Sequence, residues 1–352
     1  MSRGHSGFTT ATEPVFSYTV WVRAFVLTFI LALAPWTVAQ DVPGFLRNLN
    51  EADVASLKAQ AERGDPDAQF EIALVYAYGA AVPRNDLSSA QWMRKAADAG
   101  HPRAMANLGL MYQEGRGVPQ DHKLAMQWME KAADLHDSDG EFFLAHTYEA
   151  GVGIPRDPRK AVELYRRALS DGNVAVSVNL GLMYLQGDGV SKDPREAVRL
   201  FRIGAEAGLS KAQTNLGRMY YDGNGVEQDY AQALLWLTRA AEQGAAIAKS
   251  NMAVMYLEGR GVPRDPAEAY KWFLLAREDD ETSGQAVVVL NRELTQAQRF
   301  EGERRAQLWL KSHTAGEATM ADEILSAVEE SQQKNRQKST GNINAFPAPQ
   351  PK

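Results

Sequence analysis

A row of asparagines is the feature of this chain that comes closest to a ligand-binding motif. Asn107, Asn179, Asn215 and Asn251 are separated by 36 residues or by a multiple of 36. Because a side-chain amide both donates and accepts hydrogen bonds, such a row could hold the backbone of an extended peptide. It could also bond neighbouring copies of a repeated unit and satisfy buried carbonyl groups. We favour this structural interpretation and keep peptide binding as the alternative.

Four further polar residues differ from one copy of the unit to the next. Arg103, His146, Lys211 and Arg218 occupy variable positions, whereas many positions around them hold the same type of residue in every copy. Such variation within one chain indicates surface rather than core, so these residues are candidates for partner specificity. The full predicted partner-binding set is Arg103, Asn107, His146, Asn179, Lys211, Asn215, Arg218 and Asn251.

Motifs for catalysis, for metals and for phosphate are missing from the sequence. There is no cysteine, the six histidines never stand four residues apart, and neither Gly-x-Ser-x-Gly nor His-Glu-x-x-His occurs. Glycine-containing loops such as 187–190 lack both a preceding strand and the alternating acids of a calcium loop. We therefore predict a non-enzymatic protein with no cofactor and no metal. The alternative is an enzyme that acts on envelope glycans through scattered carboxylates.

The repeated unit is 36 residues long and occurs six times without insertion or deletion, in blocks 65–100, 101–136, 137–172, 173–208, 209–244 and 245–280. The twelfth position is always tyrosine, the fifteenth always glycine, and the ninth always alanine or glycine beside a larger apolar residue. We interpret the tyrosines as packing residues whose hydroxyls bond an adjacent helix, rather than as a ligand groove. The same holds for the tryptophans Trp92, Trp128, Trp236 and Trp272.

Each block predicts two antiparallel helices. Helix A fills the first 14 positions, where apolar residues such as Leu180 and Met183 recur at helical spacing, and it ends at the invariant glycine. Helix B begins after an aspartate that three times precedes proline, which is typical of a helix cap and first turn. Since one such hairpin cannot bury its apolar face alone, the hairpins must stack. The pattern predicts an all-α solenoid with capping helices.

The charge of the chain argues against one class of partner. The chain has 352 residues and a net charge of −6, and no block concentrates lysine or arginine in a run. Binding to nucleic acid normally needs a clustered basic surface. We therefore expect no nucleic-acid partner.

The N-terminus has the pattern of a targeting segment. The apolar stretch 24–34 follows Arg23 and is shorter than the roughly 17 to 25 residues of a membrane-spanning helix. We predict a signal peptide that is cleaved between Ala39 and Gln40, leaving no stable membrane span. The predicted location is the periplasm. An extracellular location, or anchoring by an uncleaved signal, remains the alternative.

The string at 107–121, Asn-Leu-Gly-Leu-Met-Tyr-Gln-Glu-Gly-Arg-Gly-Val-Pro-Gln-Asp, followed by Ala125 and Trp128, closely resembles the Sel1-like repeat (SLR) family. These repeats are relatives of tetratricopeptide repeats. The resemblance covers residues 65–280, and the block 137–172 departs from it at Phe143 and His146. It implies a right-handed superhelix that scaffolds protein complexes. Exported bacterial members are similar to adaptors that regulate envelope signalling or assemble polysaccharide-export machinery.

The predicted organisation has five parts. They are a signal peptide at 1–39, a linker and N-terminal capping helix at 40–64, six repeats at 65–280, C-terminal capping helices at 281–316, and a short helix with a disordered tail at 317–352. Phe300, Leu308 and Leu310 are expected to cover the last repeat. We expect a scaffold or adaptor that binds a segment of an unidentified protein partner on the concave surface. A polysaccharide-binding module is a further alternative, and it would need exposed aromatic platforms.

Overall fold

The computed structural model describes residues 44–313 of the chain. Three predictions concern residues outside this range. The predicted signal peptide 1–39, its cleavage between Ala39 and Gln40, and the predicted tail 317–352 all lie outside the described residues.

Fifteen α-helices, preceded by a short 3-10 turn at Gly44–Asn48, make up the regular structure of residues 44–313. No β-strand occurs in that range, which confirms the all-α prediction. The helices are α1 Glu51–Glu62, α2 Pro66–Tyr78, α3 Asp86–Asp98, α4 Pro102–Glu114, α5 His122–Asp134, α6 Ser138–Ala150, α7 Pro158–Ser170, α8 Val176–Gln186, α9 Pro194–Glu206, α10 Ser210–Asp222, α11 Tyr230–Glu242, α12 Ala246–Glu258, α13 Pro266–Ala276, α14 Glu281–Glu293 and α15 Gln296–His313.

The helices alternate between the two predicted kinds. The A helices are α2, α4, α6, α8, α10 and α12, and the B helices are α3, α5, α7, α9, α11 and α13. The described residues fall into two compact units, 44–236 and 237–313, with the division inside α11. The right-handed sense of the superhelix stays a prediction.

The helix ends follow the predicted capping pattern. Gly187 ends α8 in the left-handed conformation, with φ of 80°, and its N–H donates to the carbonyl of Met183. The Asp193 carboxylate caps α9 by accepting from the N–H groups of Arg195 and Glu196 at 3.0 and 3.2 Å. Local sequence therefore sets where these helices begin and end.

One A helix begins later than its position in the repeat predicts. The regular helix α8 starts only at Val176 and has no side-chain cap. The preceding Asn173 does not cap it, because its amide instead donates to the carbonyl of Ser138 and the carboxylate of Asp139, at 3.4 and 3.3 Å. A contact with the neighbouring repeat has replaced the local cap.

Within a repeat, the two helices meet at the small residue of the ninth position. A Cβ on Gly109 would lie 2.7 Å from Cγ of Met129, and a Cβ on Gly181 would lie 2.6 Å from Cε1 of Phe201. The larger residue beside each of these glycines is buried. The predicted close contact of large and small residues is therefore confirmed at these repeats.

The tryptophans pack into the repeats as predicted. Trp128, Trp236 and Trp272 are only 7%, 8% and 6% exposed. Trp92 is half-buried and packs against the apolar cluster that holds Met93 and Leu108. These rings contribute to the core and leave little aromatic surface for a ligand.

The expected covering of the last repeat is partly wrong. Phe300 and Leu308 are 44% and 53% exposed. Instead, the Trp309 ring of α15 lies edge-on to Trp272 with centroids 5.8 Å apart. The Arg305 guanidinium adds charge-assisted hydrogen bonds to acidic residues near the start of α13. An aromatic contact and an ion network therefore hold α15 on α13. The face of α15 that contacts α13 carries Arg305 and Trp309 and differs from the face that the apolar spacing predicted.

At three contacts between repeats, the second glycine of the loop brings the two backbones close together. Gly189 and Gly225 have φ of 70° and 73°. A Cβ on either would overlap the carbonyl oxygen of the first residue of the preceding B helix, which is Pro158 or Pro194. The corresponding Gly117 meets the preceding B helix in the same way. Only glycine fits this contact, so at these three loops it fixes how closely the hairpin approaches the previous one. The other two loops of the first unit differ, since a Cβ on Gly153 would meet the His122 side chain and the first loop holds Ala81 with φ of 57°.

We expect Gly189→Ala to lower the free energy of unfolding by about 2 kcal/mol more than Gly208→Ala. Both glycines have positive φ, 70° and 89°, so both variants carry the same kind of backbone strain. Only at Gly189 would the new methyl group meet the neighbouring repeat, since nothing lies within 4 Å of a Cβ at Gly208. Urea unfolding followed by circular dichroism measures both losses. Equal losses would contradict a packing role for Gly189.

Candidate functional site

The predicted partner-binding residues share one face of the A helices. All eight stand at the third, seventh or tenth position of a block, and this spacing places them on one side of a helix. We call the third, seventh and tenth positions of the A helices the A face. Seven of the residues belong to the first unit, and Asn251 belongs to the second.

Two of the asparagines do not bond neighbouring repeats. The Asn107 amide donates to the carbonyl of Arg103 at 2.8 Å, and the Asn215 amide donates to the carbonyl of Lys211 at 3.0 Å. Both bonds run back four residues within the same helix. The favoured structural interpretation is therefore wrong for these two residues, because the carbonyl one turn earlier is the nearer acceptor.

Asn179 does bond the neighbouring repeat. Its amide donates to the Tyr165 hydroxyl at 3.3 Å, and that hydroxyl in turn donates to the Glu149 carboxylate at 2.6 Å. Burial, and then the Glu149 charge, raises the pKa of Tyr165 well above its usual value. The phenol therefore stays protonated and acts as a structural donor. Asn251 differs again, since its amide nitrogen is buried without a hydrogen-bond partner among the described residues.

The charged residues of the A face differ in how firmly they are held. Arg103 lies 3.6 Å from the Asp139 carboxylate, and its guanidinium lies 5.5 Å from the centre of the Phe70 ring, so it connects three A helices. Arg218 lies 3.6 Å from Asp222 of its own helix. Lys211 is exposed on α10. Lys211 is therefore the better probe of partner binding, because replacing Arg103 would also remove contacts within the protein.

Sequence reasoning missed an apolar component of the A face. Leu74, Leu110 and Leu182 stand at the tenth position and are half-buried. His146 and Arg218, at the same position of other blocks, are half-buried as well. The signal was present in the alignment of the blocks, where this position is usually apolar. The A face thus combines partly exposed leucines with amide and basic groups.

A second set of contacts joins three B helices to the next A helix through arginines that sequence reasoning did not identify. The Arg202 guanidinium donates to the Tyr220 hydroxyl at 2.8 Å. The same pairing occurs at Arg94–Tyr112 and Arg166–Tyr184. The tyrosines are half-buried rather than fully buried, but their predicted bonding to an adjacent helix is confirmed at these three positions.

An open cavity of about 610 Å³ lies beside the Arg202–Tyr220 pair. It is lined by both acidic and basic side chains, among them Glu206 and Asp229, and by Trp236. Because Trp236 is only 8% exposed, it offers a sugar little of the flat aromatic surface that a polysaccharide-binding module needs.

The repeats match a known family model. Six matches to the Sel1 repeat fall at residues 66–101, 102–137, 138–173, 177–209, 210–244 and 246–280, and together they cover more than half of the chain. The chain belongs to the Sel1 repeat family. Sel1 repeats generally mediate protein–protein interaction and are typically non-catalytic, which supports a scaffold role with protein partners.

A solved structure agrees with this assignment. The chain is similar to a Sel1 repeat protein from Oxalobacter formigenes at 31% sequence identity and a TM-score of 0.58, covering 64% of this chain and 90% of that one. It is also similar to a protective antigen with an SLR fold from uropathogenic Escherichia coli, at 26% identity and a TM-score of 0.49, covering 85% of this chain and 68% of that one. The Oxalobacter structure supports a Sel1 helical solenoid.

Two further findings concern curated proteins and membrane-spanning helices. None of the curated proteins compared with this Sel1 repeat chain matches it significantly. Within residues 44–313, no helix has both the length and the apolar character needed to cross a membrane.

We expect a double-mutant cycle of Arg202→Ala and Tyr220→Phe to give a coupling energy of about 1 kcal/mol, because the two side chains share one charge-assisted hydrogen bond near solvent. The free energies of unfolding of the wild type, both single variants and the double variant give this value. A matched control pairs Arg199→Ala with Tyr220→Phe, since Arg199 bonds Glu196 of its own helix instead. Equal coupling energies in both cycles would show that the Arg202–Tyr220 hydrogen bond does not contribute to the free energy of unfolding.

Proposed function

We propose that this Sel1 repeat chain is a non-enzymatic scaffold or adaptor of the bacterial cell envelope that binds an extended segment of a protein partner along its A face. The observation that carries the proposal is the contrast between two kinds of position in the same helices. The repeated eighth and ninth positions are buried between helices in all six blocks, whereas the A face is mostly partly exposed and differs between repeats at its third and tenth positions.

The composition of the A face suits a peptide better than a small molecule. Half-buried leucines such as Leu110 and Leu182 can take apolar side chains of a partner. On α10, the basic side chains of Lys211 and Arg218 offer donors to acidic groups of the partner. Because these groups are spread over successive helices, they match a long ligand that makes many weak contacts rather than one that fills a single pocket.

The envelope location rests on the predicted signal peptide. An exported protein of this kind would meet its partner in the periplasm, where regulation of envelope signalling or assembly of polysaccharide-export machinery both require adaptors. The absence of cysteine is consistent with a protein that keeps its fold by packing alone in an oxidising compartment. No specific observation favours the glycan-acting enzyme or the polysaccharide-binding module over this proposal.

We expect a photo-reactive amino acid placed at Lys211 to crosslink a partner protein in living cells, because this exposed side chain lies on the A face. The matched control places the same group at Glu163, which is exposed on the B helix α7. Covalent products are identified by mass spectrometry after denaturing purification. A product formed from position 211 and lacking from position 163 supports the proposal.

Two other outcomes would contradict this proposal. A product formed only from position 163 would place the partner on the B-helix side. If neither position gave a product while crosslinkers at Leu110 and Leu182 also failed, the A face would not be a partner surface.

We expect the exported protein to begin at Gln40, because cleavage after Ala39 follows from the predicted signal peptide. Periplasmic extraction followed by mass spectrometry of the intact protein identifies the N-terminus and the location together. A full-length chain that stays with the membrane fraction would support the uncleaved anchor. A chain recovered only from the cytoplasm would contradict the proposed envelope location. It would not contradict partner binding along the A face.

A further inference from the structure

A histidine in this chain stands where most other repeats have glycine. His136 follows α5 and adopts φ of 57°, in the left-handed region where side chains are strained. The corresponding residue is glycine at five other helix ends and aspartate, Asp280, at the end of the sixth block; the glycines are Gly64, Gly100, Gly172, Gly208 and Gly244. The fold of the repeat does not call for histidine here, because glycine serves the same backbone conformation without strain.

The residue at the fifth position of the third block lies next to this histidine, and this position varies among the blocks. Where it is glutamine, at Gln69 and Gln213, the side chain donates to a carbonyl of the preceding helix, at 3.1 and 3.2 Å. Glu141 occupies this position in the third block and cannot donate when ionised. Arg167 supplies the missing hydrogen bond, since it donates to the carbonyl of Ala133 at 2.9 Å and lies 2.7 Å from Oε1 of Glu141. These contacts account for the arginine at position 167, but they do not account for the carboxylate at position 141.

The Glu141 carboxylate is fully buried, and its closest partner is the Arg167 guanidinium. Its side chain is 0% exposed, and apart from the ion pair of Oε1 with Arg167 the carboxylate oxygens have no hydrogen-bond partner among the described residues. Burial raises the pKa of Glu141, although the Arg167 charge opposes the shift. Because the Arg167 side chain is 40% exposed to solvent, the carboxylate can share its charge with a further cation.

Two other potential ligands face this carboxylate. Nδ1 of His136 lies 3.5 Å from Oδ2 of Asp171. One ligand atom from each of His136, Glu141 and Asp171 lies within 4.8 Å of the other two. The three residues come from the end of α5, from α6 and from the end of α7, so they meet where the second repeat contacts the third.

We propose that His136, Glu141 and Asp171 bind a divalent transition-metal ion, with zinc as the ion whose ligand preferences they match. Zinc takes imidazole nitrogen and carboxylate oxygen as ligands and tolerates an open coordination position. The ion shares the buried Glu141 carboxylate with Arg167, which keeps its hydrogen bond to the Ala133 carbonyl. By joining α5, α6 and α7, the ion stabilises the contact between two repeats. This inference does not depend on the proposed function.

Isothermal titration of the full chain with zinc chloride, on protein purified without a histidine tag, tests the site. We expect one ion per chain and a rise in melting temperature with zinc. His136→Gly should raise the dissociation constant by at least about 10-fold. This variant should fold normally, because it restores the residue found at five equivalent helix ends. Circular dichroism without zinc checks its helix content.

Two further variants decide between this site and an adventitious one. Glu141→Gln restores the side chain of Gln69 and Gln213 and should also weaken zinc binding by at least about 10-fold. His146→Ala changes a histidine of the same repeat outside the cluster and should bind zinc like the wild type. The proposal is overturned if the wild type binds no zinc, if His136→Gly binds it equally well, or if Glu141→Gln leaves the affinity unchanged.

Discussion

The close approach of three loops to the preceding B helix, at Gly117, Gly189 and Gly225, is the contact on which stacking in the first unit depends. The second loop glycine rests against a backbone carbonyl where no side chain fits, as at Gly189 and Pro158. This spacing brings the apolar face of one hairpin against the next, and burial of that face supplies most of the stabilisation. It also places Arg202 within hydrogen-bond distance of Tyr220. The loop therefore determines which residues of neighbouring repeats can meet.

Because the packing contacts use the same positions in every block, the A face is left free to vary. Its leucines, amides and basic groups lie on successive helices. Not all of them are independent of the fold, since Leu110 and Leu182 pack against the core and Asn179 bonds Tyr165. Exposed residues such as Lys211 can change without altering the core. A Sel1 repeat chain can in this way keep one fold and change its partner.

The sequence predicted those features that depend on local spacing and missed those that depend on stacking. Helix ends, the small ninth position and the buried tryptophans follow from periodicity and capping. Arg202 and Tyr220 stand 18 residues apart on different elements, so their contact becomes visible only when the distance between repeats is known. The predicted bonding of the asparagines to neighbouring repeats was partly wrong for a related reason. Asn107 and Asn179 occupy the same position but bond different partners, because only Asn179 faces a tyrosine hydroxyl of the preceding repeat.

The central claim is that a hairpin of this chain is stable only through its neighbours. The most direct test is circular dichroism of a synthetic peptide that spans the single block 173–208. We predict little helix and no cooperative thermal transition, since an isolated hairpin leaves its apolar face in water and short helices are marginal alone. A peptide with the helix content of the intact protein and a cooperative transition would contradict the claim.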